Sequence, residues 1–493
     1  MNKAILLTAI LGMAAFTLEA CSSNKDALET NSGPTANSTA NPNLKTQATG
    51  RELAFAANKL LSKSINYSGL EFPVEGDWTP KLEEASFETI KRAGFTAIRL
   101  PVKFSAHALQ AAPYTLEPVF MARVDWAIQN ATKRGLAIIV DLHHYDELMM
   151  QPVEHRARFL ALWDQIATRY KNQPASVIFE IGNEPHGKLD GYWNEHQNSA
   201  VAVIRRTNPT RALIVGSKDW NSAVHLPHMA FSSDPNLIVT FHHYGPHSFT
   251  HQGAHWETPV QPIGVSWPGT KLDWRFGWEP YSSADVTMEP TGIGLSFKGI
   301  WSGLTLHHPY PASGAYAVRL KTDRAATLVI SCHTPANTQG FEVIAPKYLR
   351  VNTQAGVVQD VSVSSCGNGR AFTDLSIQSP LEGVQPKITF QQLELLDSDG
   401  AHPFALNAQA LVRASLDLAS VWGKANNRPM FMGEFGTYIK TDQASRERYT
   451  KFNREEAEKR GISWAYFDFS TYFRVYELST KTWQTGLLKS LIP

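Results

Sequence analysis

The chain has 493 residues and a formal net charge of +1 at pH 7, with 46 Lys and Arg against 45 Asp and Glu. That length exceeds one ordinary domain and predicts two or three folded units. The balanced charge, with no basic stripe anywhere, excludes the electrostatic footprint of a nucleic-acid or polyanion-binding protein. The 13 Trp, 15 Tyr and 24 Phe suit stacking on sugar faces, and equally a large core.

The N-terminus reads as an export signal. Asn2-Lys3 is followed by a mostly apolar run over residues 4–16, too short to span a membrane. Leu18-Glu19-Ala20-Cys21 then resembles a bacterial lipobox, with Glu19 as a departure from it. The resemblance implies lipidation of Cys21, residues 1–21 as signal peptide, and export to a bacterial, outer-type membrane. Plain secretion is the alternative. Residues 22–49, rich in Ser, Asn, Thr and Pro, read as a flexible tether. Of the two remaining cysteines, Cys332 and Cys366 lie in one β-rich segment and are disulfide candidates in an oxidising compartment. No Cys/His spacing reads as a metal site, and no cofactor is expected.

From residue 50, strand-like runs alternate with helical patterns. Strands are predicted at 62–68, 96–102, 136–144, 177–184, 212–216 and 237–244. Helices are predicted at 82–93, 120–134, 154–172 and 194–206. This alternation argues for a parallel sheet covered by helices. It breaks over residues 271–397, where short alternating runs at 317–322, 326–332, 340–345, 359–366 and 387–396 read as a β-sandwich. Helical and strand patterns resume at 404–425 (helix), 429–436 (strand), 445–460 (helix), 462–469 (strand) and 482–491 (helix). Eight strands predict a (β/α)8 barrel built from residues 50–270 and 398–493, with a jelly-roll-like sandwich inserted after strand six.

Val177-Ile178-Phe179-Glu180-Ile181-Gly182-Asn183-Glu184-Pro185 is an apolar strand that stops at a carboxylate, because Pro185 removes a ladder donor. A lone Glu there reads most simply as solvent-facing. Met430-Phe431-Met432-Gly433-Glu434 repeats the pattern. Two carboxylates at the carboxyl ends of barrel strands are what glycoside hydrolysis needs.

The motifs Ala97-Ile98-Arg99-Leu100-Pro101, Asp141-Leu142-His143-His144, Asn183-Glu184-Pro185, Phe241-His242-His243-Tyr244, Phe249-Thr250-His251-Gln252-Gly253-Ala254 and Gly433-Glu434-Phe435-Gly436 occur in this order. Together they resemble glycoside hydrolase family 5, the clan that includes endo-β-1,4-glucanases, across the whole barrel. The resemblance implies Glu184 as general acid/base and Glu434 as nucleophile. Arg99 and Tyr244 would keep Glu434 ionised and aimed, and Asn183 would hold the sugar 2-hydroxyl. His143 and His242 would line the site. A structural ion pair is the alternative for Arg99. His144 and His243 are expected to be packing histidines, and Asp141 and Asp146 structural. Where the family commonly has Tyr-Trp-Glu on strand eight, this chain has Tyr466-Phe467-Asp468. Phe467 is then a smaller sugar platform. Trp464 is a further candidate, although of opposite strand parity.

The inserted sandwich loosely resembles a carbohydrate-binding module, with Trp274, Trp278, Trp301, Tyr310 and Tyr316 as candidate exposed aromatics. Tied at both ends, it is expected to wall the cleft and bind long chains. The implied activity is retaining endo-hydrolysis of a β-1,4-glucan. A mannanase or xyloglucanase is the rival within the class. A non-catalytic glycan-binding lipoprotein is the rival outside it, disfavoured by the intact carboxylate pair.

Overall fold

The computed structural model describes residues 50–71, 82–230, 232–268 and 408–493. Between the last two of these it also describes 278–281, 284–289, 291–307, 317–335, 341–343, 348–363, 374–380, 383–397 and 400–403. The expected signal peptide, Cys21 and the tether lie outside these residues.

Eight parallel strands close a barrel in chain order: Ser64–Asn66, Ala97–Val102, Ala137–Leu142, Val177–Glu180, Leu213–Gly216, Leu237–His242, Met430–Phe435 and Ser463–Tyr466. Ile65 of the first strand pairs with Ile98 of the second and with Tyr466 of the eighth, which completes the ring. Every residue of Ala97–Val102, Ala137–Leu142 and Leu237–His242 is buried. Strands covered on both faces have no solvent side to show.

The helices Glu84–Ala93, Pro118–Thr132, Pro152–Tyr170, Trp193–Arg205 and Gln443–Lys459 lie within a turn of their expected spans. Pro118 and Pro152 let two of them start early, because the first helical turn has no use for the missing N–H. Helix Pro152–Tyr170 buries Phe159, Trp163 and Ile166 of the stripe its spacing implies, with Leu162 buried in place of the half-buried Leu160.

Two of the departures from expectation bear on the barrel. Gly50–Leu60 is a helix that the periodicity of the chain does not predict. Its Ala57, with Leu61, packs among Ala97, Ala137, Ile178, Ile214, Phe431 and Ala465, plugging the amino end of the barrel. The expected helix 482–491 is shorter, running from Thr485 to Leu491. Thr482–Trp483 instead pairs antiparallel with Tyr476–Glu477, where Trp483 packs edge-on against Phe469 and Tyr476.

All the strands between Trp278 and Pro403 fall, in sequence, between barrel strands six and seven. They form two antiparallel sheets. One is ordered 341–343, 326–335, 374–378, 303–307, 278–281, with 349–353 also paired to 326–335; the other is 358–362, 317–322, 388–397, 292–296, 285–289, with 400–403 also paired to 388–397. Apolar residues of both sheets, among them Leu304, Leu328, Ile330 and Ile377 facing Ile293, Leu320, Ile388 and Phe390, share one core. That common core makes the pair a sandwich. Cys332 is buried and disulfide-bonded, while Cys366 lies outside the described residues. So do Trp274, Tyr310, Tyr316 and the side chain of Trp278. Trp301 is half-buried, 4.9 Å from the exposed ring of Tyr348.

Candidate active site

Arg99 is the hub of the barrel's carboxyl end. It is wholly buried, and its guanidinium reaches three carboxylates. Nε and Nη2 donate to Glu180 at 2.8 and 2.9 Å, and Nη1 donates to Glu434 Oε1 at 2.6 Å. Asp141 Oδ2 lies 3.0 Å from Nη2. The remaining capacity goes to the amide oxygens of Asn66 (3.0 Å) and Asn183 (2.8 Å). Guanidinium only donates, so both amides must present oxygen to it. The NH2 of Asn66 then donates to the carbonyls of Gly433 and Tyr466. With its oxygen on Arg99, Asn183 has its NH2 left to donate elsewhere.

Glu434 owes its aim to a bulge. Met432 pairs with Phe241 and Glu434 with the adjacent His242, so Gly433 is the extra residue. A bulge at a strand end turns the next side chain. Only glycine fits, since a Cβ at 433 would come within 2.6 Å of Thr240 Oγ1 and 3.0 Å of His242 Nε2. Tyr244 completes the hold, its hydroxyl donating to Glu434 Oε2 at 2.8 Å.

Glu184 stands in the left-handed region at φ 46, just past strand four. For a residue with a Cβ this costs on the order of 1–3 kcal/mol, which the surroundings must supply. His186 Nδ1 lies 2.7 Å from the Glu184 carbonyl, and Trp220 N–H donates to Pro185 O. The Glu184 side chain is 19 % exposed, and its Oε1 meets His242 Nδ1 at 2.7 Å. Asn221 Nδ2 approaches His242 Nε2 at 3.4 Å. With the amide donating there, the ring proton sits on Nδ1, facing Glu184. One oxygen from each of Glu184 and Glu434, with a His242 nitrogen, all lie within 4.8 Å of one another.

Burial pushes Glu184 up to about 7, with Arg99 opposing. Burial raises Glu434 as well, opposed by His242, Arg99 and the Tyr244 hydroxyl. His242 is itself pushed down to about 4 by burial, so near neutral pH its ring is uncharged. Arg99, in direct contact with Glu434 alone of the two, is then the cation that decides which carboxyl ionises. That contact favours the ionised form of Glu434 over that of Glu184, whose carboxyl holds its proton below about pH 7.

The structure brings Arg99, His143, Asn183, Glu184, His242, Tyr244 and Glu434 together, as expected from the sequence. His143 Nδ1 is hydrogen-bonded to Asp141 Oδ2, so Asp141 orients a site residue while pairing with Arg99. Asp146 forms an exposed pair with Lys103 at 2.7 Å. His243 is a packing histidine, wholly buried beside Ser415 Oγ at 3.1 Å.

His144 differs from its expected packing role. It is exposed, at φ 48, with its ring edge-on to His143 at 4.2 Å. The strand ends at Leu142, so strict alternation no longer applies to it. Trp464 is no sugar platform. It lies inside strand eight, wholly buried, and its Nε1 donates to Glu458 of the covering helix at 3.2 Å. Phe467 is half-buried and gathers with Tyr244, Tyr438 and Phe473.

Three contributors are absent from the set that the sequence implies. Glu180 and Asn66 are polar residues inside buried strands, and that mismatch is their signal. Trp220 has no local signal. Asp219, Trp220 and Asn221 run consecutively at φ 53, 61 and 56, a turn that leaves Trp220 48 % exposed. Its ring stacks on His186 at 3.6 Å and 5°, two residues from Glu184. Trp220→Ala is expected to raise KM for polysaccharide roughly tenfold while leaving kcat within a factor of about two. Steady-state kinetics on a soluble glucan check this, and an unchanged KM would remove Trp220 from the binding surface.

A closed barrel with one carboxyl at the end of strand four and one at the end of strand seven, an oxygen of each within 4.8 Å of the other, is the arrangement that two-carboxylate glycoside hydrolysis uses. Comparison with known proteins narrows it. Residues 59–275 match the family Cellulase (glycosyl hydrolase family 5), and the chain belongs to that family. It is similar to Endoglucanase H of Acetivibrio thermocellus, 38% identical over 184 residues, which are 37% of this chain and 20% of that protein. Endoglucanase C of the same organism is 28% identical over 199 residues, 38% of this chain and 58% of the relative. The chain thus spans less than two thirds of either relative. Among solved structures, Thermotoga maritima Cel5A in complex with cellobiose is 30% identical, with a TM-score of 0.59. That match covers 89% of this chain and 100% of the other. The same enzyme in complex with mannotriose gives 29% and a TM-score of 0.60, over 89% and 100% of the two chains.

Proposed function

We propose that this protein is a retaining endo-β-1,4-glucanase. The observation that carries the reading is the separation of the two carboxyls. Retention needs them about 5–5.5 Å apart, whereas inversion needs about 6.5–9.5 Å to seat a water. An oxygen of Glu184 and one of Glu434 within 4.8 Å of each other is short of the inverting span. Glu434 attacks the anomeric carbon as Glu184 passes its proton to the leaving oxygen, so the glycosidic C–O bond breaks and a glycosyl-enzyme ester forms. Glu184, now a carboxylate, takes a proton from water, whose oxygen displaces Glu434 and restores both groups. A panel of cellulose, mixed-linkage glucan, glucomannan, mannan and xyloglucan, with products sized, tests the assignment. Internal cleavage of a β-1,4-glucan is expected. Release of single sugars from chain ends only, or no cleavage of any glucan, would overturn it. Cleavage of mannan as well is the second reading, supported by the mannotriose complex of the similar enzyme.

The pH profile follows from Glu184. A carboxyl held at about 7 is protonated below that pH and loses its proton above it. As the acid must carry its proton to begin each turnover, kcat/KM on a substrate with a poor leaving group is expected to fall above about pH 7. A substrate whose leaving group needs no proton should lack this alkaline limb. An identical limb on both would assign it to another group.

A further inference from the structure

We propose that Asn221 is a positioning residue: in the reaction assigned above, on which this rests, it fixes the tautomer of His242 and so keeps the proton of Glu184 on the oxygen that meets the leaving group. His242 is uncharged near neutral pH, so it carries one ring proton, and two arrangements compete for it. With the proton on Nδ1, the ring donates to Glu184 Oε1 at 2.7 Å, and the carboxyl proton stays on the other oxygen. With the proton on Nε2, Nδ1 becomes an acceptor and Glu184 gives its own proton to it. The acid then starts each turnover with its proton turned away from the glycosidic oxygen. Glu434 Oε2, 3.7 Å from Nδ1, also favours a proton there.

In a buried imidazole, the neighbour of one nitrogen decides whether the other keeps the proton. Asn221 is that neighbour. It has no exposed surface, and its Nδ2 lies 3.4 Å from His242 Nε2. The contact is long for a hydrogen bond, so its weight lies in what it excludes. An NH2 can face the lone pair of Nε2, but against an Nε2–H it would set donor to donor.

The orientation of the amide therefore matters, and Gly216 sets it. Either orientation gives one end of the amide to His242 and leaves the other without an N–H or O–H partner among the described residues. That other end occupies the space where a Cβ at 216 would stand, 2.2 Å from Asn221 Oδ1. A bare oxygen tolerates the Cα hydrogen of the glycine, whereas an NH2 would press its own hydrogens against it. Asn221 reaches this position at φ 56, the last of the three left-handed residues, a region that asparagine enters more readily than most. Ser222 next bridges in parallel to His242, and Ser217 Oγ donates to the Ser222 carbonyl at 2.7 Å. The turn is thus tied to the strand end whose histidine it orients.

Nitrogen-15 correlation spectra of full-length protein labelled at histidine, taken at about pH 6, read the tautomer. The His242 signal is assigned by its loss in His242→Gln. Asn221→Asp keeps the shape of the side chain but sets an acceptor against Nε2. The wild-type ring is expected to carry its proton on Nδ1, and the Asn221→Asp ring on Nε2. In that variant kcat/KM should fall about tenfold or more on an oligosaccharide whose leaving group needs a proton. On an aryl glycoside whose leaving group needs none, it should fall by less than about threefold. A wild-type ring protonated on Nε2 overturns the proposal, as does an Asn221→Asp ring still protonated on Nδ1. Equal losses on both substrates, or none on either, would reduce Asn221 to a packing residue. Wild-type protein that cleaves neither substrate would overturn the reaction assignment itself, a separate failure because the spectra read the tautomer without turnover.

Discussion

Glu434→Gln is expected to lower kcat by about four orders of magnitude or more, with the fold retained. The amide keeps the size of the side chain and can still meet Tyr244 and Arg99, but it cannot form the ester on which double displacement depends. Glu184→Gln should fall nearly as far on natural substrates, since an amide has no proton to give. The two losses differ in what restores them. Glu434→Ala opens room beside the anomeric carbon, and added azide should enter from that side, cleave an activated β-glycoside and leave a glycosyl azide of inverted configuration. In Glu184→Ala, an activated substrate reaches the intermediate unaided, and azide then attacks it to give a product of retained configuration. Product stereochemistry by NMR reads both outcomes. Near-wild-type activity in either Gln variant would end the two-carboxylate assignment. Azide products with the two configurations exchanged would reverse the roles of Glu184 and Glu434.

The second large effect is expected at Arg99. Arg99→Lys preserves the charge but offers a compact ammonium with three donors where a planar fork now serves Glu180, Glu434, Asn183 and Asn66 at once. The side chain has no exposed surface, so no water can replace the lost bonds. Asp141 and Glu180 are already pushed up by burial, Asp141 to about 7, with Arg99 opposing the rise in both. Weakening that opposition leaves buried carboxyls short of a partner, a change that typically costs about 3–5 kcal/mol. The expected result is a melting temperature lower by several degrees and kcat lower by about 100-fold or more. The remaining activity should show an acidic limb moved to higher pH, because Glu434 is harder to ionise without the fork. A variant with wild-type kcat and an unmoved acidic limb would reduce Arg99 to a structural ion pair.

Both predictions rest on residues that stand out in the amino-acid sequence, and the physics of the barrel explains why. A strand buried on both faces writes itself as a mostly apolar run, so its end is visible as the point where Asn183-Glu184-Pro185 or Gly433-Glu434 closes it. Barrel closure requires only that such ends share one face, and Arg99, His143, His242 and Tyr244 follow from the same rule. The inserted sandwich is legible too, as a loss of helical period between two stretches that keep it.

What the strand pattern could not supply are the matters decided by distant neighbours or by departures from regular geometry. Alternation predicts sides only while the strand lasts. His243, one residue past strand six, still donates its N–H to the Glu434 carbonyl and keeps its side, whereas His144, two residues past strand three, has turned away at positive φ. Trp464 shows the opposite case: it is still within the ladder, and parity correctly turns it from the site to the covering helix. Glu180 is the interior polar residue that pattern marks as anomalous, yet its meaning depends on Arg99, 81 positions earlier. Trp220 reaches the cleft through three consecutive left-handed residues, a conformation that no propensity favours and that only the packed loop enforces. The order of the strands, the two carboxylates and their hub were thus determined by the sequence alone. Which ring stacks beside Glu184 and which groups share the Arg99 guanidinium were settled only when folding set the distances, because hydrogen bonds and Coulomb forces depend on ångströms rather than on spacing along the chain.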